Sequence, residues 1–271
     1  MIDGIAINII SAPIIFIFGI IFTKKIFPSI NERFNPLAKY IAPKNPGGGK
    51  NICVIHGYAR TKSQQKDIAY IQEGDLGALL ASSKLLSSSF DEKKITFKDG
   101  IEKNDCGEEY DTVICVSGPK WNKCTEHYIG AVGSPVSFLK NPKCVSAQTS
   151  KMNTPNIYQT ETNDDGTINT CYGFVVYSEL SNENYEKKNI LICCGRSTHS
   201  TYASLSVLTQ IKNRSGVYRT LKSRGIFQSK GAWGVLFKIT KKETENTPYK
   251  IDIMQVFLRD EFLDPYIYEY H

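Results

Sequence analysis

The chain has 271 residues, with 33 Lys and Arg against 27 Asp and Glu for a formal net charge of +6, and eight cysteines. That length suits one good-sized domain with its own core, plus short additions. The cysteines (Cys53, Cys106, Cys115, Cys124, Cys144, Cys171, Cys193, Cys194) form no CxxC pair and no tight framework. This argues against a disulfide scaffold and suits a reducing compartment.

Residues 4–22 (GIAINIISAPIIFIFGIIF) carry no charge and only two polar side chains, Asn8 and Ser11. A helix over this run, at about 1.5 Å per residue, just crosses a hydrocarbon core about 30 Å thick. Pro13 would kink such a span without preventing it. A buried core helix and a cleaved secretory signal are the alternatives. The first should show a polar face, the second a basic start and a small-residue cleavage site, and neither is visible. Residues 1–25 are therefore expected to be a single transmembrane anchor.

Lys24 and Lys25 follow the run, while residues 1–3 hold one acid and no base. Basic residues stay on the cytoplasmic side, so the expectation is an outside N-terminus and a cytoplasmic C-terminal domain. From 23 to 66 nine basic residues accompany one acid, Glu32. Anionic lipid head groups attract such a segment by about 1 kcal/mol per nearby charge. The lipid bilayer is thus an expected partner. A nucleic-acid duplex is not, since no zinc-finger, helix-turn-helix or aromatic RNP pattern is present.

Residues 26–42 mix apolar and basic side chains between Pro28, Pro36 and Pro43, as either a short interfacial helix or a stalk. KNPGGGK at 44–50 supports no regular element, so a basic linker is expected over 26–50 and a domain over 51–271.

Within that domain three runs share one design. NICVI (51–55), DTVICV (111–116) and NILICC (189–194) are each continuous and apolar, and each is followed by a glycine-containing polar loop. Helices are expected after them: one with Asp75 as N-cap and a stripe of Leu76, Leu79, Leu80 and Leu86, one over 123–129, one over 202–211. Further strands are expected over 95–97, 136–139 and 173–177. Residues 141–170 show little periodicity and read as a long excursion or a partly ordered loop. Residues 233–240 and 249–258 alternate and read as a C-terminal antiparallel hairpin. The fold class is α/β, with a largely parallel sheet.

Ligands of such sheets bind beyond the carboxyl ends of the strands. The expected rim comprises His56, Gly57 and Arg60; Gly118, Lys120, Trp121 and Asn122; and Gly195, Arg196, Ser197, Thr198, His199 and Ser200. After Gly195 the hydroxyls and a helix N-terminus suit a phosphate, with Arg196 as a bidentate partner. A capped turn without ligand is the plain alternative. Trp121 either stacks on a base, with Lys120 on a phosphate, or packs over its loop. Neither GxGxxG nor GxxxxGK[ST] occurs. His56 and His199 are the catalytic candidates, as a general base pair or part of a metal site. No HExxH or GxSxG accompanies them, and no metal or cofactor is expected. Cys193 and Cys194 read as buried strand, because adjacent strand residues point to opposite faces.

The layout of anchor, linker, and VxGP-like and CCGRSTHS loops after strands resembles prokaryotic membrane-anchored sensors with a Rossmann-like ligand domain, of the CARF and SLOG types of defence systems. The resemblance implies a nucleotide-derived signal that alters the membrane segment or a homo-oligomer. Asn8 and Ser11 in the span are compatible with a helix partner. A membrane sensor for a small phosphate-bearing ligand is the leading expectation. A membrane-tethered nucleotide or glycosidic-bond hydrolase and a protein-assembly module are the alternatives.

Overall fold

The computed structural model describes residues 36–41, 52–57, 59–62, 67–70, 73–87, 94–100, 106–139, 144–182, 185–241 and 249–269. The apolar run 4–22 and the glycine linker lie outside the described residues. Among those described, no helix is long and apolar enough to cross a membrane.

In chain order the elements are α1 (Ala38–Ile41), β1 (Ile52–His56), β2 (Ala59–Lys62), β3 (Asp67–Tyr70), α2 (Glu73–Ser87), β4 (Ile95–Asp99), β5 (Thr112–Val116) and α3 (Lys123–Ala131). Then follow β6 (Val136–Leu139), β7 (Cys144–Ala147), β8 (Asn156–Gln159), β9 (Glu161–Thr162), β10 (Ile168–Asn182), β11 (Tyr185–Gly195) and α4 (Thr198–Lys212). The chain ends with α5 (Gly216–Ser223), β12 (Ala232–Lys241), β13 (Tyr249–Leu258) and an extended tail.

The main sheet runs β13-β12-β10-β11-β5-β1-β4, with β9 beside β10. β11, β5, β1 and β4 pair in parallel, as the three apolar runs predict. The antiparallel part reaches further than a terminal hairpin. β10 pairs antiparallel with both β11 and β12, so the GFVVY run sits in the middle of the sheet. β2 and β3 form a separate hairpin, and β6, β7 and β8 a small antiparallel sheet.

Alternation along the strands divides the apolar residues between two cores. Val54, Ile114, Val116, Val175, Leu191, Cys193, Trp233 and Phe237 face α2, α4 and α5. Ile55, Val113, Cys115, Phe174, Ile190, Ile192 and Cys194 face α3 and the small sheet. A sheet covered on both faces explains why its runs read as continuously hydrophobic. Cys193 and Cys194 indeed point to opposite cores, and burial raises both thiols above their ordinary range.

Two helical expectations change. α2 starts at Glu73, which puts Asp75 inside its first turn rather than at the N-cap. Its packed side is Ala78, Ser82, Leu85 and Leu86, while Leu76 is 44% and Leu80 62% exposed. The small residues win the inner face because α2 lies close on α4, with Gly77 beside the Tyr202 ring.

The core also extends upstream of the glycine run. Leu37, Tyr40 and Ile41, in the stretch assigned to the linker, are at most 2% exposed. The Tyr40 ring meets Tyr177 and Trp233 edge-on, and its hydroxyl donates to the Ile226 carbonyl at 3.3 Å. Removing a buried leucine side chain costs about 2–5 kcal/mol. Leu37→Ala should therefore lower unfolding free energy by that amount in urea titrations. A fragment starting at Asn51 should be less stable than one starting at Pro36. Equal stability of the two fragments would show that residues 36–41 contribute nothing to the domain.

Candidate functional site

β5 lies between β1 and β11 in parallel register, with His56 and Cys193 both opposite Val116. The carboxyl ends of all three strands therefore meet, as the rim requires. After β1 and β11 the chain leaves toward the face that carries α2 and α4, and after β5 toward the α3 face. The crevices on both sides of β5 are thus topological switch points, the usual ligand position in open α/β sheets.

The floor of these crevices is tightly packed. A Cβ on Gly57 would lie 2.9 Å from the Cβ atoms of both Ser117 and Trp121. One on Gly118 would meet the Gly195 carbonyl at 3.4 Å, and one on Gly195 would collide with Ser200. Gly57, Trp121, Gly118, Gly195 and Ser200 are brought together as expected, in contact with one another.

Asn122 is fully buried and caps α3. Its Oδ1 accepts from the amides of Cys124 (3.0 Å) and Thr125 (3.1 Å). Its Nδ2 donates to the carbonyls of Ile55 (3.0 Å) and Val116 (2.8 Å). Both donors and both lone pairs are engaged, so the Asn122 amide holds the protein together and has no capacity left for a ligand. Gly100 leaves the room it needs, since a Cβ there would collide with Oδ1.

Ser117, which the rim expectation omits, has φ 84° and is 1% exposed. A non-glycine residue in this region costs about 1–3 kcal/mol and concentrates at functional sites. Its carbonyl accepts from Thr125 Oγ1 at 2.9 Å, and its Oγ sits 3.4 Å from the Gly57 amide. The serine-glycine pair directly after an apolar strand was the available signal.

In the third loop Ser197 caps α4. Its Oγ accepts from the Ser200 amide at 3.2 Å, and Ser200 Oγ accepts from the Ser197 amide at 2.8 Å. Thr198 is half-buried and His199 exposed on the first turn. The half-buried Arg196 anchors through its amide to the Tyr172 carbonyl, and its charge lowers the Cys144 thiol against the larger effect of burial. Lys120 is exposed, its Nζ 4.3 Å from the centre of the Trp121 ring. Arg60 falls on β2, where the backbone alone is described.

His56 ends β1 and His199 lies in the first turn of α4, after β11; β5 runs between the two strands, whose ends are about 10 Å apart. Among the described residues no group of three or more His, Cys, Asp and Glu could hold a metal. Two clefts open elsewhere, of about 640 Å³ along β6, β7 and the tail and of about 400 Å³ beside His127 and Tyr266; neither includes a rim residue.

His56 is 6% exposed. Burial lowers its pKa from the ordinary 6.5, opposed by the Gly57 backbone hydrogen bond and by Asp99, its register partner on β4. With the folded value depressed, the unfolded chain binds the extra proton first. Stability is therefore lost as pH falls through 6.5 toward the folded value. Between about pH 7.5 and about pH 5.5 the melting temperature should drop more for the wild type than for His56→Gln. Parallel curves would refute a neutral buried imidazole. Asn122→Asp keeps the cap acceptor but sets an anion against two carbonyls. It should cost about 2–5 kcal/mol by denaturant titration, although Asp caps helices as well as Asn does. No protein-family model, curated protein or solved structure matches this chain.

Proposed function

We propose that this protein is a membrane-anchored sensor. In this reading residues 4–22 span the bilayer with the N-terminus outside, and the cytoplasmic domain, Rossmann-like in its parallel half, binds a small phosphate-bearing ligand at the rim. A nucleotide is the ligand class that fits the loops. The observation that carries the reading is the position of β5, flanked on both sides by strands whose connections leave toward the opposite face. Two adjacent switch points offer one continuous crevice mouth.

The available groups suit an aromatic, anionic ligand. Lys120 and Trp121 stand at the mouth as a cation and a ring, and Arg196, Thr198 and His199 border the positive end of the fifteen-residue α4. Because the floor is already bonded, the ligand would lie on top of it, held by these outer side chains. Ligand binding at the rim would then bias the membrane segment, and with it a homo-oligomer of the spans.

The test is a thermal-shift screen of the fragment from Pro36 to the C-terminus against nucleotides, cyclic oligonucleotides and NAD. A ligand at 100 times its dissociation constant adds about 2.7 kcal/mol, which raises the melting temperature of a domain this size by about 5–10 °C. Lys120→Ala and Arg196→Ala should each remove most of the shift while leaving the ligand-free melting temperature within a degree or so. A shift unaffected by either change would place the ligand elsewhere. Absence of any shift would favour the assembly module, and consumption of the bound nucleotide would favour the hydrolase.

A further inference from the structure

From 187 to 242 the chain holds twelve Lys and Arg and no Asp or Glu, twice the net charge of the whole protein. The densest part, residues 212–230, covers the end of α4, α5, the 3₁₀ turn Ile226–Gln228 and the approach to β12. α5 turns Leu221 into the core and keeps Val217 and Tyr218 half-buried. Arg219 and Lys222 on its outer side, with Arg214, Arg224 and Lys230 around it, are exposed. Among the described residues none of these five makes an ion pair. Glu179 of β10 accepts from the Tyr177 hydroxyl, and Glu261, in the 3₁₀ turn after β13, accepts from the Leu258 amide.

The fold sets this basic surface where the N-terminal segment enters. Tyr40 bonds to the Ile226 carbonyl and lies 6.3 Å from the Phe227 ring, which packs at 5.0 Å on Tyr218 of α5. Leu37 is separated from the end of the apolar run by residues 23–36, fourteen residues that reach at most about 50 Å when extended. Five cations with no ion pair among the described residues thus lie on the surface packed beside Tyr40, within fourteen residues of chain of the apolar run. An anionic surface at that end would meet them together with the basic residues of the connection.

We propose that the α5 surface, Arg214, Arg219, Lys222, Arg224 and Lys230, docks on the anionic head groups of the bilayer that holds the N-terminal run, which fixes the domain with its rim directed away from the membrane. The proposal rests on the membrane reading of residues 4–22. Each cation near an anionic leaflet contributes attraction that falls off within about 10 Å at 0.1 M salt, so only a surface in contact with the head groups gains.

The full chain carrying Ser223→Cys, labelled with an environment-sensitive dye, would be mixed with vesicles of phosphatidylcholine alone or with phosphatidylserine. Expected is a blue shift with phosphatidylserine only, reversed on raising salt from about 0.05 M to about 0.5 M. The shift should be lost in R219Q/K222Q/R224Q/K230Q, whose four parent side chains are exposed and outside every side-chain hydrogen bond among the described residues. An unchanged melting temperature confirms that this variant folds. Flotation with phosphatidylcholine vesicles reports separately on the apolar run. If the chain floats with both vesicle types and the dye does not respond to phosphatidylserine, the docking surface is wrong and the anchor stands. If it fails to float with phosphatidylcholine, the anchor is wrong, and a salt-sensitive dye response that needs the four cations still supports the docking surface; no response then overturns both. A response to duplex DNA or to RNA at equal charge, but not to phosphatidylserine, overturns the proposal in favour of nucleic acid.

Discussion

The four hydrogen bonds of the Asn122 amide fix the geometry on which the rim depends. One side chain ties the carboxyl ends of β1 and β5 together and starts α3. Around it, the Gly100 amide donates to the His56 carbonyl and the Gly100 carbonyl accepts from the Lys123 amide. The exits of β1, β4 and β5 are thereby linked through two residues. A buried amide with all its capacity used rigidifies its surroundings, whereas the same group half satisfied would be costly. Gly57 and Gly100 follow from this arrangement, because any Cβ at either would press on the loop that carries Asn122.

That constraint also locates the strain. Ser117 is forced to φ 84° because the chain must turn from β5 into the α3 loop while its carbonyl meets Thr125 and its Cβ stays against Gly57. Five residues on, Asn122 must reach both neighbouring strand ends. The stability lost at Ser117, about 1–3 kcal/mol, is of the same order as what the buried amide network contributes. A strained residue held by a satisfied network makes the crevice floor preorganised, and under the proposed function recognition falls to the outer residues.

Much of this architecture was legible in the sequence because its signals are strong. Ile52–His56, Thr112–Val116 and the core of β11 are β-branched and cysteine-rich runs without a polar break, which is what burial on two faces demands. β13 is the edge strand and is partly exposed along most of its length, which suits its mix of polar and apolar residues, whereas Ala232 to Phe237 of β12 are buried. Residues 141–170 were opaque for the opposite reason. β7 (CVSA) is short and β8 (NIYQ) mostly exposed, so neither presents a period, and their pairing with β6 comes from tertiary contact. The segment at Leu37 was hidden by the prolines beside it and by the glycine run after it, both of which mark a boundary that the packing disregards. Asn122 reads as a ligand contact in the sequence because a polar residue in a loop after a strand looks the same whether it meets a ligand or its own backbone. Only the distances to Ile55 and Val116 separate the two. The parallel order of the three loops could be guessed from their shared design; the antiparallel insertion of β10 could not, because hydrophobic runs carry no direction.

α4 joins the two ends of the molecule. Its first turn sits on Gly195 and Gly173, paired across β11 and β10, and its last turn places Lys212 against the Leu85 carbonyl beside the basic surface. Fifteen residues of helix span about 22 Å, more than the length of the five-residue parallel strands. Ser200, Thr201, Ala203 and Ser204 on its buried side are small, as are Ala78 and Ser82 on the facing side of α2. Small side chains interlock less deeply than large ones, so a helix seated on them can shift along its neighbours at lower cost than one held by leucines and aromatics. The first half of α4, nearest the rim, has the small contacts. Its second half is held by Leu205, Val207, Leu208 and Ile211 in the core that also contains Leu37, Tyr40 and Ile41. Under the proposed function a ligand at the rim meets the end of the helix whose close approach to Gly195 and Gly173 depends on small side chains. The second half shares its core with the segment that leads to the N-terminal run, so under the proposed function that core is the route by which a shift of the helix would reach Tyr40.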